Sequence, residues 1–135
     1  MRTLTRLMSL TAVLLMAGHV TGTSAKSVTP TTETYLQYAG PPIDEFTYLG
    51  HYDGFSALGG NDVVIWTTIN DAYLIHVLSP CVQLPFADRV ELTSTAHTVS
   101  RRFDFVIVDH RDHCHIDTIR HVDYGAMKRA RLAPP

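Results

Sequence analysis

The densest apolar block outside the N-terminus lies at residues 63–81 and predicts the centre of the fold. β-Branched and aromatic residues alternate on both sides of Asn70-Asp71, which sits where a two-residue hairpin turn would fall. We therefore expect a central β-hairpin. Because apolar residues point to both faces of each predicted strand, both faces should be covered, as in the middle of a sandwich or small barrel.

Shorter alternating runs predict further strands at residues 43–49, 51–58, 89–94, 98–108 (or from Arg102) and 114–119. We expect the second of these to pair with the first. Residues 79–87 contain two prolines and predict a loop or a single helical turn, and Asp123 is placed to cap a short helix reaching Arg131. The predicted class is mainly β, with α+β as the alternative: a small antiparallel sandwich or barrel of about seven strands with a short C-terminal helix.

The N-terminal pattern is typical of a secretory signal peptide. Arg2 and Arg6 precede an apolar run at residues 7–17, and small and polar residues follow up to Ala25. We expect cleavage after Ala25, with a membrane-anchored N-terminus as the alternative. Residues 26–34 are polar and predict a flexible leader, so residues 35–132 form the single domain.

The net charge of the chain bears on whether nucleic acid or a membrane is a partner. Loss of residues 1–25 removes two of the 11 Lys and Arg residues and none of the 13 acidic residues, which leaves a net charge of −4. An acidic protein is a poor ligand for nucleic acid, because phosphate binding draws on clustered cations. Lys128, Arg129 and Arg131 weakly suggest contact with an anionic membrane, and a solvated helix face is the ordinary alternative.

The two cysteines favour a disulfide bond. Cys81 and Cys114 make an even number in a chain expected to be exported, where oxidation is favoured. A bridge would close a loop of about 33 residues and stabilise the fold by roughly 3 to 4 kcal/mol. Free thiols are the alternative.

A histidine-rich segment supplies the main candidate for chemistry. If residues 113–117 are extended, His113, His115 and Asp117 share one face, opposite Cys114. Two imidazoles and a carboxylate suit Zn²⁺ or Cu²⁺, and His110 or His121 is available to complete the shell. The alternative is a histidine-rich solvated surface, and we expect no resident cofactor.

His76 and several aromatic residues could be either part of the hydrophobic core or part of a binding site. His76 lies between apolar residues and is predicted to be a hydrogen-bonded core histidine. Five aromatic residues near the early strands are predicted to form core or to line a ligand groove. They are Tyr48, Tyr52, Phe55, Trp66 and Tyr73. The glycines and serines match no Walker loop, dinucleotide fingerprint or nucleophile elbow.

The order of these features resembles a family of small exported bacterial proteins classed only as a domain of unknown function. The resemblance lies in Val64-Ile65-Trp66-Thr67, in Cys81 followed by Leu84-Pro85-Phe86-Ala87, in Cys114, and in Val122-Asp123-Tyr124. It implies a periplasmic β-rich domain with Cys81 paired to Cys114, and offers no catalytic residues. Many relatives are lipoproteins, whereas this chain lacks a cysteine at the signal boundary.

The functional expectation is a non-enzymatic envelope protein that binds a partner, either another envelope protein or a glycan, or plays a structural role. Divalent-metal binding through His113, His115 and Asp117 is the first alternative. An enzyme whose site the pattern does not reveal is the second.

Overall fold

A computed structural model describes residues 29–134. Its elements, in chain order, are α1 Thr32–Leu36, β1 Ala39–Ile43, β2 Glu45–Thr47, β3 Gly54–Gly59, β4 Asp62–Thr68, β5 Asp71–Val77, a 3-10 helix Leu84–Phe86, β6 Val90–Leu92, β7 Thr98–Ser100, β8 Phe105–Val108, β9 Asp112–Val122 and α2 Tyr124–Arg129. The nine strands of this part of the chain form antiparallel sheets that curl into a half-barrel, so the mainly β class and the short C-terminal helix are confirmed.

Strand β9 organises the larger sheet. Its neighbours follow the order β3-β4-β5-β9-β8-β6, and β1 also pairs with β9. On the side away from β5, the first half of β9 pairs with β8 and the second half with β1. Strands β2 and β7 form a separate two-stranded sheet. One strand of 11 residues therefore joins most of the molecule.

The predicted central hairpin is confirmed as β4 and β5. The turn lies one residue earlier than the sequence suggested, because Thr68 pairs with Asp71 and leaves Ile69 and Asn70 as the turn residues. The Thr68 hydroxyl accepts a hydrogen bond from the Asn70 backbone N–H at 3.3 Å. Side chains that bond their own turn backbone stabilise such reversals.

Both faces of the hairpin are buried, as predicted. Val63, Ile65 and Ile75 face an inner core enclosed by the curl of the half-barrel. Val64 and Leu74 face a second core, here called the helix-side core, which α1 and α2 cover through Tyr35, Tyr124 and Met127. Strands buried on both faces carry apolar residues at consecutive positions, which is the pattern that the sequence shows.

A β-bulge in β9 changes which side chains share a face. His76 pairs with Thr118 while the next residue, Val77, pairs with Ile116, so Asp117 is the extra residue. Ile116 and Ile119 consequently both face the inner core although they are three positions apart. An extra residue in one strand shifts every later side chain to the other face.

The disulfide bond between Cys81 and Cys114 is present, with a Cα–Cα distance of 5.6 Å. It ties the loop after β5 to β9, and both sulfur-bearing residues are buried in the inner core. Neither cysteine of the described residues is free. The free-thiol alternative is therefore wrong for this structure.

Several strand predictions need correction. β2 pairs with β7, and β3 pairs with β4, so the first two predicted strands are not partners. The run at residues 98–108 is divided between β7 and β8, because residues 101–103 form a turn. The helical turn within residues 79–87 is confirmed as the 3-10 helix.

The N-terminal predictions fall mostly outside the described residues, since residues 1–28 lie there. The expected leader at residues 26–34 is wrong for its last three residues, which begin α1. Thr31 and Thr34 form a capping box, and reciprocal side-chain bonds of that kind start a helix even in a polar segment. Between residues 29 and 134 no helix is long and apolar enough to cross a membrane.

Candidate functional site

The structure places His113 and His115 side by side on the outer face of β9, opposite the buried Cys114. The ring of Phe105 on β8 lies beside both, with its centroid 6.4 Å from that of His113 and 5.2 Å from that of His115. The His115 Nδ1 atom is buried and has no hydrogen-bond partner. The predicted shared face of these two imidazoles is therefore present.

The other predicted ligands are elsewhere. Asp117 is in the bulge and accepts a hydrogen bond from the Thr118 hydroxyl at 3.0 Å. His110, in the turn before β9, contacts Glu91 at 3.2 Å. His121 lies beyond the bulge and pairs with Asp71 on the inner-core side. Within residues 29–134, no group of three or more His, Cys, Asp or Glu side chains is arranged to hold one metal ion.

The prediction that His76 is a core histidine is wrong. Its side chain is 47% exposed, and its Nδ1 atom lies 2.7 Å from Oδ1 of Asp62 on the neighbouring strand. The helices cover Ala72 and Leu74 on the same face of β5, but the helix-side core does not extend to His76. Among the described residues, the side-chain hydrogen bond that His76 makes is the one to Asp62.

The five candidate aromatic residues are divided among three places. Tyr73 stacks on Phe46 with ring centroids 4.1 Å apart, which makes it part of the wall of the inner core. Tyr48 and Tyr52 line one surface cleft, and Phe55 and Trp66 lie at another. The core interpretation is confirmed, because all five belong to or pack against the two cores. The single groove of the other interpretation is wrong, because the exposed parts of four of them line two separate depressions.

The first depression, here called the seam cleft, lies between the approach to β3 and strand β6. Its volume is about 510 Å³, and Tyr48, Tyr52, Arg89, Glu91 and Leu92 are among its lining residues. The Tyr52 hydroxyl donates a hydrogen bond to the Val90 carbonyl and so holds the two sides together. Burial, with Tyr52 and Glu91 nearby, raises the pKa of Tyr48. The cleft thus presents a neutral phenol between charged side chains.

The second depression has a volume of about 560 Å³ and more apolar than polar lining. We call it the Trp66 groove and define it by Asp53, Gly54, Ser56, Trp66, Tyr124 and Lys128. Strand β3 forms one wall, α2 the other, and the indole of Trp66 on β4 lies between them. Pockets of this size with a few polar groups are typical of ligand sites.

Gly54 leaves the groove open. It pairs with Trp66 across the β3–β4 ladder and has no side chain to cover the indole. A Cβ atom at this position would lie 3.9 Å from the Trp66 ring, in ordinary van der Waals contact. Glycine is therefore not required by the backbone here, and the absence of a side chain leaves space next to the Trp66 ring.

Two tyrosine rings pack against the Trp66 ring. Tyr35 and Tyr124 pack edge-to-face against it, with centroid distances of 6.5 and 5.7 Å. The indole Nε1–H is buried and has no hydrogen-bond partner. It lies close enough to the Tyr124 hydroxyl to offset part of the rise that burial causes in the pKa of Tyr124, but the two groups do not meet hydrogen-bond geometry.

Lys128 places a positive charge at the edge of the groove. Its ammonium group lies 4.8 Å from the centroid of the Tyr124 ring and donates hydrogen bonds to the Ile69 carbonyl and to Asn70 Oδ1, at 2.6 and 3.2 Å. Sequence reasoning missed the part that Tyr124 and Lys128 play here. Their spacing of four residues in a predicted helix was the available signal, because such residues share a helix face.

Fold and groove together define a disulfide-bonded antiparallel β half-barrel with an aromatic groove beside its C-terminal helix. The model of the family described as "Family of unknown function (DUF6491)" matches residues 1–133, so the chain belongs to that family. Neither the curated proteins nor the solved structures gave a match.

Proposed function

We propose that the protein is an exported, non-enzymatic binding protein of the cell envelope and that the Trp66 groove receives its partner. The observation that carries the proposal is the Trp66 groove itself, in which the indole of Trp66 is lined on one side by β3 and on the other by α2, with Lys128 at the edge. Aromatic side chains with a few polar groups around them are a common lining of ligand sites.

The expected gain is physically reasonable. The exposed part of Trp66 adds apolar contact at little entropic cost, because Tyr35 and Tyr124 pack against the ring. A preformed aromatic platform of this kind favours binding over catalysis as its role.

Export is supported by two features. The Cys81–Cys114 bond is compatible with an oxidising compartment such as the periplasm. The N-terminal charge and apolar pattern, outside the described residues, is that of a signal peptide. A partner in the envelope, a protein or a glycan, follows from that location.

The experiment uses Trp66 as its own reporter, because it is the only tryptophan of the chain. Indole emission of the oxidised protein is recorded during titration with oligosaccharides, peptides and lipid vesicles of defined composition. Gly54→Ala and Gly54→Val cover the ring progressively. Gly40→Ala is the matched control, because its added Cβ would lie 3.7 Å from the His121 carbonyl, outside the groove.

We expect one class of probe to change the emission saturably, with affinity falling from wild type to Gly54→Ala to Gly54→Val and unchanged in Gly40→Ala. If a probe binds with an affinity that both Gly54 variants leave unaltered, the groove is not the binding site and the proposal is wrong.

Divalent-metal binding is the second candidate, because His113 and His115 lie together beside Phe105. Zn²⁺ or Cu²⁺ would have two protein ligands here, and water would complete the shell. Isothermal titration against a His113→Ala/His115→Ala variant tests it. Sub-micromolar one-to-one binding that the variant loses supports a metal role, and binding indifferent to these histidines removes it.

A further inference from the structure

The end of the chain that carries Lys128 has a charge opposite to that of the whole protein. Residues 124–134 contain Lys128, Arg129 and Arg131 and no acidic residue, whereas the full sequence has a net charge of −2. Among the described residues, none of these three cations forms an ion pair. Of the three, Lys128 lines the Trp66 groove, and the groups that its ammonium contacts carry no negative charge: the Ile69 carbonyl, Asn70 Oδ1 and the Tyr124 ring.

The facing wall has the opposite hydrogen-bonding character. Asp53 and Ser56 line it and offer a carboxylate and a hydroxyl. Asp53 takes part in no ion pair of the described residues. A carboxylate of this kind accepts hydrogen bonds from hydroxyl groups and repels anions. The groove thus favours a ligand with a negative charge at the Lys128 wall and hydroxyl donors at the Asp53 wall.

We propose that the ligand of the Trp66 groove is an acidic saccharide, a sugar chain that carries carboxylate groups. Its carboxylate pairs with Lys128, and its hydroxyls donate to Asp53. The apolar C–H face of the sugar ring packs on the indole beside Gly54. This inference rests on the proposed binding function and names the class of its ligand.

Other anionic ligands satisfy fewer of these groups. An acyl chain lying on Trp66 offers no donor to Asp53. A phosphate group gains from Lys128 as a carboxylate does, but without hydroxyls beside it Asp53 receives no donor. A neutral sugar gives donors to Asp53 but leaves Lys128 without a counter-charge. A ligand with both hydroxyls and a carboxylate matches both walls.

The test compares two oligosaccharide series of equal ring number, oligogalacturonates and neutral chito-oligosaccharides, by Trp66 emission at low and high salt. Lys128→Gln removes the charge and keeps a hydrogen-bonding amide. Arg111→Gln removes an exposed charge in the turn before β9 and is the matched control. Anionic vesicles and an acidic peptide are titrated in parallel, and circular dichroism checks that each variant is folded.

We expect oligogalacturonate to bind at least tenfold more tightly than the neutral series, with the preference reduced at high salt. Lys128→Gln should abolish the preference, Arg111→Gln should keep it, and Gly54→Val should lose both series. Equal binding of both series, or a preference that survives Lys128→Gln, overturns the ligand class while leaving the binding function intact. Binding of vesicles or peptide without saccharide has the same consequence. Binding of any probe that Gly54→Val does not weaken contradicts the binding function itself.

Discussion

At the scale of single residues, the environment of Tyr73 shows how a surface cluster is linked to the core. Its ring stacks on Phe46 and lies edge-on to His121. Asp71 next to it accepts hydrogen bonds from Thr67 and His121, at 2.8 and 2.7 Å. Burial, together with the Asp71 carboxylate, raises the pKa of Tyr73 to about 12.

This shift predicts a loss of stability at alkaline pH. In the unfolded chain a tyrosine ionises near pH 10, whereas folded Tyr73 keeps its proton until about pH 12. The folded state therefore holds more protons between these values, so stability is fully present below pH 10 and falls as the pH rises towards 12. Tyr73→Phe keeps the stack on Phe46 and removes the titration.

Urea unfolding at pH 8 and pH 11 measures the effect. We expect the free energy of unfolding to fall less over this interval in Tyr73→Phe than in the wild type. Leu49→Ala, at a 65% exposed position, is the control and should behave as the wild type does. Equal losses in wild type and Tyr73→Phe would show that Tyr73 does not contribute to the alkaline transition.

The alternation of the sequence explains some of these residues and not others. It places Cys114 inward and His113 and His115 outward, because the first half of β9 is regular. Strict alternation would place His121 on the same face as His113 and His115, but the bulge at Asp117 moves every later residue to the other face. No property of Asp117-Thr118 alone predicts that bulge, which is visible only in the pairing of β9 with β5.

At the scale of elements, the hairpin of β4 and β5 depends on apolar residues on both faces. Leu74 faces the helix-side core and Ile75 the inner core, and both are buried. A truncation on either face removes packed methyl groups and leaves a cavity. The helices are therefore as much a part of the fold as the curled sheet is.

Leu74→Ala and Ile75→Ala should each lower the free energy of unfolding by about 2–5 kcal/mol. Chemical denaturation of both variants beside the wild type checks this. A loss below about 1 kcal/mol for Leu74→Ala alone would mean that α1 and α2 pack only loosely on the sheet.

The start of α2 controls one wall of the Trp66 groove. Asp123 Oδ1 accepts a hydrogen bond from the Ala126 backbone N–H at 2.8 Å and caps the helix, as the sequence predicts. Replacement of such a cap by alanine costs about 0.5–2 kcal/mol. The cap fixes where Tyr124 and Lys128 project.

Asp123→Ala should therefore be less stable than the wild type by about 0.5–2 kcal/mol, whereas Asp123→Asn should stay close to it, because asparagine caps helices equally well. Thermal unfolding distinguishes the two variants. If both lose the same stability, the carboxylate acts through charge rather than as a cap.

At the scale of the whole molecule, the disulfide joins segments that are 33 residues apart. A loop of this length removes conformational entropy from the unfolded chain worth roughly 3 to 4 kcal/mol. The double variant Cys81→Ala/Cys114→Ala should lose about that much in guanidinium unfolding, and the reduced wild type should match it. A loss under about 1 kcal/mol would mean that the unfolded chain is already compact in this region.

The sequence pattern predicts individual strands better than it predicts which strands pair with one another. The alternating runs predict the central hairpin, β6, and β8 and β9, because their apolar periods are local. The pairing of β2 with β7, more than 50 residues later, depends on tertiary packing that no local pattern encodes. The Trp66 groove likewise forms only when β3, β4 and α2 come together, so its aromatic residues were visible in the sequence but its shape was not.

The most direct test of the account is the Trp66 indole N–H signal in a ¹H–¹⁵N spectrum, because the chain contains a single tryptophan. The uniformly labelled, oxidised protein is titrated with the same oligosaccharides, peptides and vesicles. We predict that the probe which binds shifts this resonance, because it changes the surroundings of the indole ring, and that Gly54→Val prevents the shift. A bound probe that leaves the indole resonance unchanged would contradict the central claim that the Trp66 groove receives the ligand.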